Sequence, residues 1–393
     1  MSYELSSEHE EFRRVVRDFA RAEVVPYAAR WDREHHFPVE VVASMGELGL
    51  FGLTAPEEYG GAGGDFTSLC VAIEELGRVD QSVGITLEAA VGLGINPILT
   101  YGTTAQKERW LPDLVAGRAL AGFGLTEPGA GSDASATRTR AELVDEEWVI
   151  DGAKQFITNS GSSITSVVTV TARTGTRPDG RPEISAIMVP AGTPGFVAET
   201  PYDKLGWHAS DTHPLSFVDV HVPADHLLGE RGRGYAQFLA TLDDGRVAIA
   251  ALAVGCVQAC LDMCVEYAGV RQTFGGPIGR KQGVAFQIAD LEVMARAGRL
   301  LTYQAAALKD SQRSGRGATT AEFKQAAAVA KLYTSEAAVS ATRIATQVFG
   351  GYGFMEEYPV ARFYRDAKIL EIGEGTSEVQ RMLIARGLGL PVE

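Results

Sequence analysis

The sequence predicts a multi-domain α and β protein: an N-terminal helical domain over residues 1–120, a middle antiparallel β domain over 121–232, and a C-terminal four-helix bundle over 233–393. Three observations carry this. The chain has 393 residues, 45% of them apolar, enough for roughly two to three domains with sizeable cores. Its apolar residues recur at helical spacing up to about Ala121, then at every second position, and return to the helical period from Gly234. The final part is alanine-rich, and its long helical segments have short connections, as a bundle requires.

The elements follow in order. Ser7 and Glu10 form a candidate capping box, and Phe12, Val15, Val16, Phe19, Ala20 and Val24 then make an amphipathic helix that ends by Pro26. A second helix starts at Pro38, runs through Val41, Val42, Met45 and Leu48, and stops at Gly49. The Gly-rich segment 57–65 reads as a connector. Helices are predicted from Phe66 to Arg78, Ser82 to Tyr101 and Thr104 to Ala116. Short β-branched runs at 148–150, 155–158, 166–172, 184–189 and 215–222, bounded by turn residues, indicate an antiparallel sheet or small barrel. In the last run Val218, Val220 and Val222 should share one face, and Phe217, Asp219 and His221 the other. The bundle helices are expected at about Tyr235–Tyr267, Gln282–Ser311, Ala318–Phe349 and after Glu374.

Composition excludes several function classes. A formal charge of −14 disfavours nucleic acid and anionic membrane surfaces. The polar, acidic start Met1–Leu5 does not resemble a signal peptide, so a cytoplasmic, reducing setting is expected. The longest apolar stretch, 83–99, carries Glu88 and several glycines and is short for a bilayer span, which predicts a buried helix. Cys256, Cys260 and Cys264 lie on one helix face without a nearby histidine and read as core fillers, with no metal site.

Three stretches hold the candidate chemistry. In Gly373-Glu374-Gly375-Thr376-Ser377-Glu378 a carboxylate stands between two glycines, just ahead of a helix that Thr376 or Ser377 can cap and Gly387 ends. A carboxylate there can abstract a proton, and the helix N-terminus favours the negative charge that results. An ordinary Gly-flanked surface turn fits the same residues. In Gly122-Phe123-Gly124-Leu125-Thr126-Glu127-Pro128-Gly129-Ala130-Gly131-Ser132-Asp133, backbone amides and the Thr126 and Ser132 hydroxyls can cradle a polar ring or a diphosphate. Gln347-Val348-Phe349-Gly350-Gly351-Tyr352-Gly353 is a helix end followed by glycines that can lie against a pyrophosphate, without the preceding strand of a dinucleotide fingerprint.

Taken in this order, and with Lys154–Asn159, Lys204–Trp207, Arg271–Gly275 and Tyr364–Asp366, these stretches resemble the acyl-CoA dehydrogenase family over nearly the whole chain. The resemblance implies an FAD enzyme, assembled as a homotetramer from two dimers. It would remove the α-proton of an acyl-CoA thioester with a glutamate and the β-hydrogen as hydride to flavin N5, giving a trans-2-enoyl-CoA. Its electrons would pass to an electron-transfer flavoprotein.

By matching position, Glu374 resembles the base. Phe123, Leu125, Thr126 and Ser132 resemble flavin-domain contacts, Ser132 also facing the substrate's pantetheine, and Phe156, Ile157 and Thr158 resemble the strand against the isoalloxazine ring. Arg271, Thr273, Phe274, Gln282, Gln347, Gly350 and Gly351 match residues that reach the FAD of a neighbouring subunit; Thr376 and Glu378 match further FAD contacts. Asp243 and Arg246 match the acyl-CoA-binding pair, and Gly375 a backbone position against the thioester. Two departures stand out. Phe156 occupies a place where many members have tryptophan, and Gly245 lies where a minority branch carries its base, which strengthens the assignment to Glu374. A flavin oxidase or monooxygenase on the same fold is the alternative; its members commonly lack the glutamate. A non-catalytic helical scaffold is a third reading, and would yield a colourless protein.

Overall fold

The computed structural model describes residues 5–315 and 317–392, so the start Met1–Glu4 lies outside the described residues. The N-terminal region is helical: α1 (Ser7–Phe19), α2 (Ala28–Glu34), α3 (Val39–Glu47), α4 (Phe66–Gly77), α5 (Gln81–Glu88), α6 (Asn96–Tyr101) and α7 (Thr104–Val115). The capping box of α1 falls one residue earlier than expected. Ser6 holds the extended backbone a cap needs and accepts from His9 N, while the His9 ring, not Glu10, returns the bond to Ser6 N. Val15, expected on the inner face, is exposed, and Val16, Ala20 and Val24 are buried. α1 and α5 each run on into a π-helical segment, Ala20–Val24 and Ala89–Ile95, so the predicted helix from Ser82 to Tyr101 is continuous but widened in its middle.

The middle region is a mixed sheet, which corrects the expected antiparallel one. Its strands are β1 (Leu120–Gly124), β2 (Arg140–Val144), β3 (Glu147–Thr158), β4 (Thr165–Thr176), β5 (Pro182–Pro190), β6 (Phe196–Ala198), β7 (Thr212–Pro223) and β8 (Leu227–Leu228), in the order β6-β7-β3-β2-β4-β5-β8. β1 pairs parallel with β4 and shares that edge with β2, because the β2–β3 hairpin lies between them in the chain. The runs at 148–150 and 155–158 are one strand, β3, bent by bulges opposite β7. The expected alternation in β7 fails at its own bulge: Asp219 has φ 51°, Val218 turns out to solvent, and Phe217, Val220 and Val222 all point into the sheet's core.

The C-terminal region holds α8 (Gly234–Val270), a short hairpin of β9 (Gln272–Thr273) and β10 (Gly276–Pro277), α9 (Gln282–Arg313), α10 (Thr320–Phe349), α11 (Pro359–Ala367) and α12 (Ser377–Gly387). α8, α9 and α10 pack together, α12 lies on α10, and α4 from the N-terminal region packs on α8 and α9. One continuous apolar core therefore joins the first and last regions, with a separate core inside the sheet. Cys256, Cys260 and Cys264 are buried in the larger one. Residues 81–101 and 234–270 are long and apolar enough to cross a membrane, yet most of each apolar window, 78% and 83%, is buried inside the protein.

Candidate active site

Glu374 lies in the turn that joins α11 and its trailing 3₁₀ segment to α12, and its backbone is in the left-handed region, φ 53°. A non-glycine residue held there is strained by about 1–3 kcal/mol and persists where its surroundings over-determine it. Those surroundings are visible. The Gly375 carbonyl accepts from Lys331 Nζ at 2.6 Å and from Gln380 Nε2 at 2.9 Å, and the Thr376 hydroxyl caps α12 by accepting from Val379 N at 3.3 Å. Part of Glu374 reaches the surface, but Oε2 is enclosed and has no hydrogen-bond partner among the described residues.

The carboxyl packs against α8 at Gly245, where a Cβ would overlap Oε2. Arg246 is buried one residue further along α8, ion-paired with Asp243, its Nε unpartnered. Lys324 approaches Asp243 from α10 at 3.4 Å. Burial raises the Glu374 carboxyl to about 7, against the opposing influence of the neighbouring Glu88 carboxyl and the attraction of Arg246 and Lys331. Burial likewise pulls Lys331 down to about 8. The site thus holds a carboxylate near neutrality with cations beside it, the electrostatic setting of a general base.

The flavin-type positions fall into two groups. In the first, the Leu125–Ser132 segment is cradled by a buried ion pair: Lys154 Nζ donates to Glu127 Oε1 at 2.7 Å and to the Leu125 carbonyl at 3.3 Å. The Glu127 carboxylate accepts in turn from Arg138 N and Thr139 N. Leu125 and Thr126 are half-buried, Ser132 is exposed, and Gly131 has open space where a Cβ would stand. Phe123 is different, because its ring is buried and stacks on Phe238 at 3.9 Å, leaving only its backbone to face a ligand. On β3 a bulge between Lys154 and Ile157 turns Phe156 outward, 62% exposed at φ 61°, while Ile157 points into the sheet's core and Thr158 is half-buried.

The second group gathers where α8 ends, α9 begins and α10 ends. Arg271 lies over the Tyr352 ring at 5.3 Å, Lys281 lies over Phe274 at 5.8 Å, and Tyr267 stacks on Phe349 at 4.1 Å. Phe274 is 89% exposed; Arg271, Gln282, Gln347, Gly350 and Gly351 are exposed too, and Thr273 is half-buried. The recorded contacts of Arg271 and Phe274 are at this end of the bundle, not with Glu374. Thr376 and Glu378 stay with Glu374 through the α12 cap.

An exposed aromatic on a bulged strand, a hydroxyl-bearing loop and open backbone at Gly131, Gly350 and Gly351 fit a flat, diphosphate-bearing cofactor. Sequence reading missed Glu88, Lys331, Gln380 and the Lys154–Glu127 pair. For Glu88 a signal was present, since it is the single charged residue in the apolar stretch 83–99.

Fold and site together define a flavin-dependent dehydrogenase. Three family profiles match the chain: acyl-CoA dehydrogenase, N-terminal domain, over residues 6–118; middle domain, over 122–220; and C-terminal domain, over 232–389. The chain belongs to the acyl-CoA dehydrogenase family, FAD-dependent oxidoreductases acting on CH–CH donors. It is 47% identical to the probable acyl-CoA dehydrogenase YngJ of Bacillus subtilis, over 99% of this chain and 100% of that protein. The structure of butyryl-CoA dehydrogenase from Megasphaera elsdenii matches with TM-score 0.92 at 40% identity, covering 99% of this chain and 100% of that one. A chain of a structure described as the electron transferring flavoprotein of Acidaminococcus fermentans matches with TM-score 0.93 at 38% identity, covering 99% of each.

Proposed function

We propose that this protein catalyses α,β-dehydrogenation of a short-chain acyl-CoA thioester to the trans-2-enoyl-CoA, with Glu374 as the base. The observation that carries the proposal is the enclosed, unpartnered Glu374 Oε2, on a carboxyl that burial raises to about 7. An α C–H of a thioester is a weak acid, so the site must hold a ready carboxylate and stabilise the charge that develops on the thioester oxygen. Glu374 takes the proton, and the N-terminus of α12 offers its dipole to the oxyanion. Arg246 and Asp243 orient the acyl-CoA, Ser132 faces its pantetheine, and Gly375 lies along the thioester.

Phe156, Thr158, Leu125, Thr126 and the backbone of Phe123 and Ile157 would hold FAD in this subunit. Arg271, Thr273, Phe274, Gln282, Gln347, Gly350 and Gly351 would reach the cofactor of a neighbour in a homotetramer. Bound there, FAD would supply the acceptor for the β-hydride, a role that no side chain can fill. The electron acceptor is an electron-transfer flavoprotein, a reading supported by the family resemblance and by the match to a chain of a structure described as an electron transferring flavoprotein.

The test is an anaerobic absorbance titration of the holoenzyme with acyl-CoAs of graded length and branching. Bleaching by four-carbon substrates is expected, and absence of bleaching by every thioester would overturn the reaction. Glu374→Gln should retain flavin and lose reduction by at least about 10³-fold. Retained reduction would remove Glu374 as the base.

A further inference from the structure

We propose that Glu88 is a positioning residue for the base: its carboxyl, set beside that of Glu374, hydrogen-bonds the base in the loaded site and fixes its orientation and basicity. The inference rests on Glu374 being the base. Glu88 is fully buried at the end of α5, where the helix widens into its π-helical segment, a distortion that often marks functional positions. Neither of its carboxyl oxygens has a hydrogen-bond partner of normal geometry among the described residues, and Glu374 Oε2 has none either. Other buried carboxylates among the described residues accept at least one hydrogen bond, as Glu74 does from Arg299 and Tyr303, Glu127 from Lys154 and Asp244 from Asn96, whereas both Glu88 oxygens go without. Burying a carboxyl unsatisfied is costly, so the exception calls for a role.

Each carboxyl is given room by a glycine. A Cβ at Gly92 would stand 3.1 Å from Glu88 Oε1, and one at Gly245 would overlap Glu374 Oε2. Glu374 faces Glu88 from α5, Arg246 from α8 and Lys331 from α10. Arg246 is paired with Asp243, and Glu371 and Glu378 also act on Lys331. Glu88 is therefore the one acid among the groups acting on the base. Burial, reinforced by the charge of Glu374, holds it in its protonated form well above the usual carboxylate range. A protonated carboxyl donates to the Glu374 carboxylate and favours its ionised state, so removing the donor should make Glu374 harder to ionise.

The experiment is the pH dependence of anaerobic flavin reduction in the holoenzyme, comparing wild type, Glu88→Gln, Glu88→Leu and Glu374→Gln with the same short-chain acyl-CoA. Glu88→Gln keeps the volume and a donor, so its midpoint should stay within about 0.3 pH unit of wild type. Glu88→Leu should raise the midpoint by about one unit, a roughly tenfold slower reduction at pH 6. Glu88→Met serves as the second apolar variant should Glu88→Leu lose its flavin. An unshifted or lowered midpoint in the apolar variant, or an equal shift in Glu88→Gln, overturns the role of Glu88. Undiminished reduction in Glu374→Gln would instead overturn the base assignment, so the two failures are separable.

Discussion

At the scale of single residues, the site is a solution to a space problem. Glu374 has to stand against α8 in an enclosed place, and its left-handed backbone is held there by two donors on the next carbonyl, Lys331 Nζ and Gln380 Nε2. What lets the carboxyl in is the missing side chain at Gly245. Gly245→Ala should therefore displace the carboxyl and slow flavin reduction by about 10–100-fold while flavin content stays near wild type. Stopped-flow reduction measures it, and an unchanged rate would mean the carboxyl has another place to go. The pH profile follows from the same burial. With its carboxyl raised to about 7, Glu374 is protonated and unable to accept below that pH, so reduction should rise as pH increases through it. The Gly-Glu-Gly turn was legible in the sequence because every feature that marks it is local. Lys331 was not, and Glu88 showed only as a lone charge in an apolar stretch, because what sets both apart is proximity to Glu374 across α10 and α5.

At the scale of elements, β3 presents Phe156, the aromatic of the proposed flavin site, by breaking its own regularity. Opposite Pro214, which has no N–H to donate to a ladder, β3 carries two residues, Gln155 and Phe156, and the bulge swings Phe156 out while Ile157 turns in. The period-2 pattern that announces a strand cannot announce where it slips, which is why Ile157 read as a facing residue and β7 read as regularly alternating. The loop beneath is held by the buried Lys154–Glu127 pair. Lys154→Met strands the Glu127 carboxylate in the interior and should cost about 3–5 kcal/mol of stability. Replacing both, Lys154→Met with Glu127→Gln, should recover part of that stability, because the amide oxygen of the introduced glutamine still accepts from the backbone at Arg138 or Thr139 without leaving a buried charge. Loss of flavin in both variants would identify the pair's service as positioning the Leu125–Ser132 segment. Denaturant unfolding together with the flavin absorbance of the purified protein would distinguish these effects.

At the scale of the whole molecule, the succession of helical, sheet and helical regions was readable because it depends on hydrophobic period alone, which is written locally along the chain. The continuous core shared by α4, α8 and α9 and the parallel pairing of β1 with β4 were not readable, since both join segments far apart in sequence. The same scale exposes a surface that a lone subunit leaves uncovered. Phe286, Val293 and Leu300 follow one another at seven-residue spacing along a face of α9, all more than 60% exposed, and Phe274 and Phe354 are 89% and 86% exposed. In the proposed homotetramer this face would be covered by another copy, and the Arg271–Phe274 segment would be brought to the neighbour's cofactor. Leu300→Glu would place a charge in the middle of the stripe, where burial without a partner is unfavourable. The variant should dissociate to smaller species by light scattering, and its flavin should fall with the assembly, because Arg271, Phe274 and Gln347 would no longer meet the cofactor they are proposed to reach. A Leu300→Glu protein that kept wild-type mass and full flavin would put the contact between copies on another face. A monomer that kept full flavin would show that each subunit completes its own cofactor site.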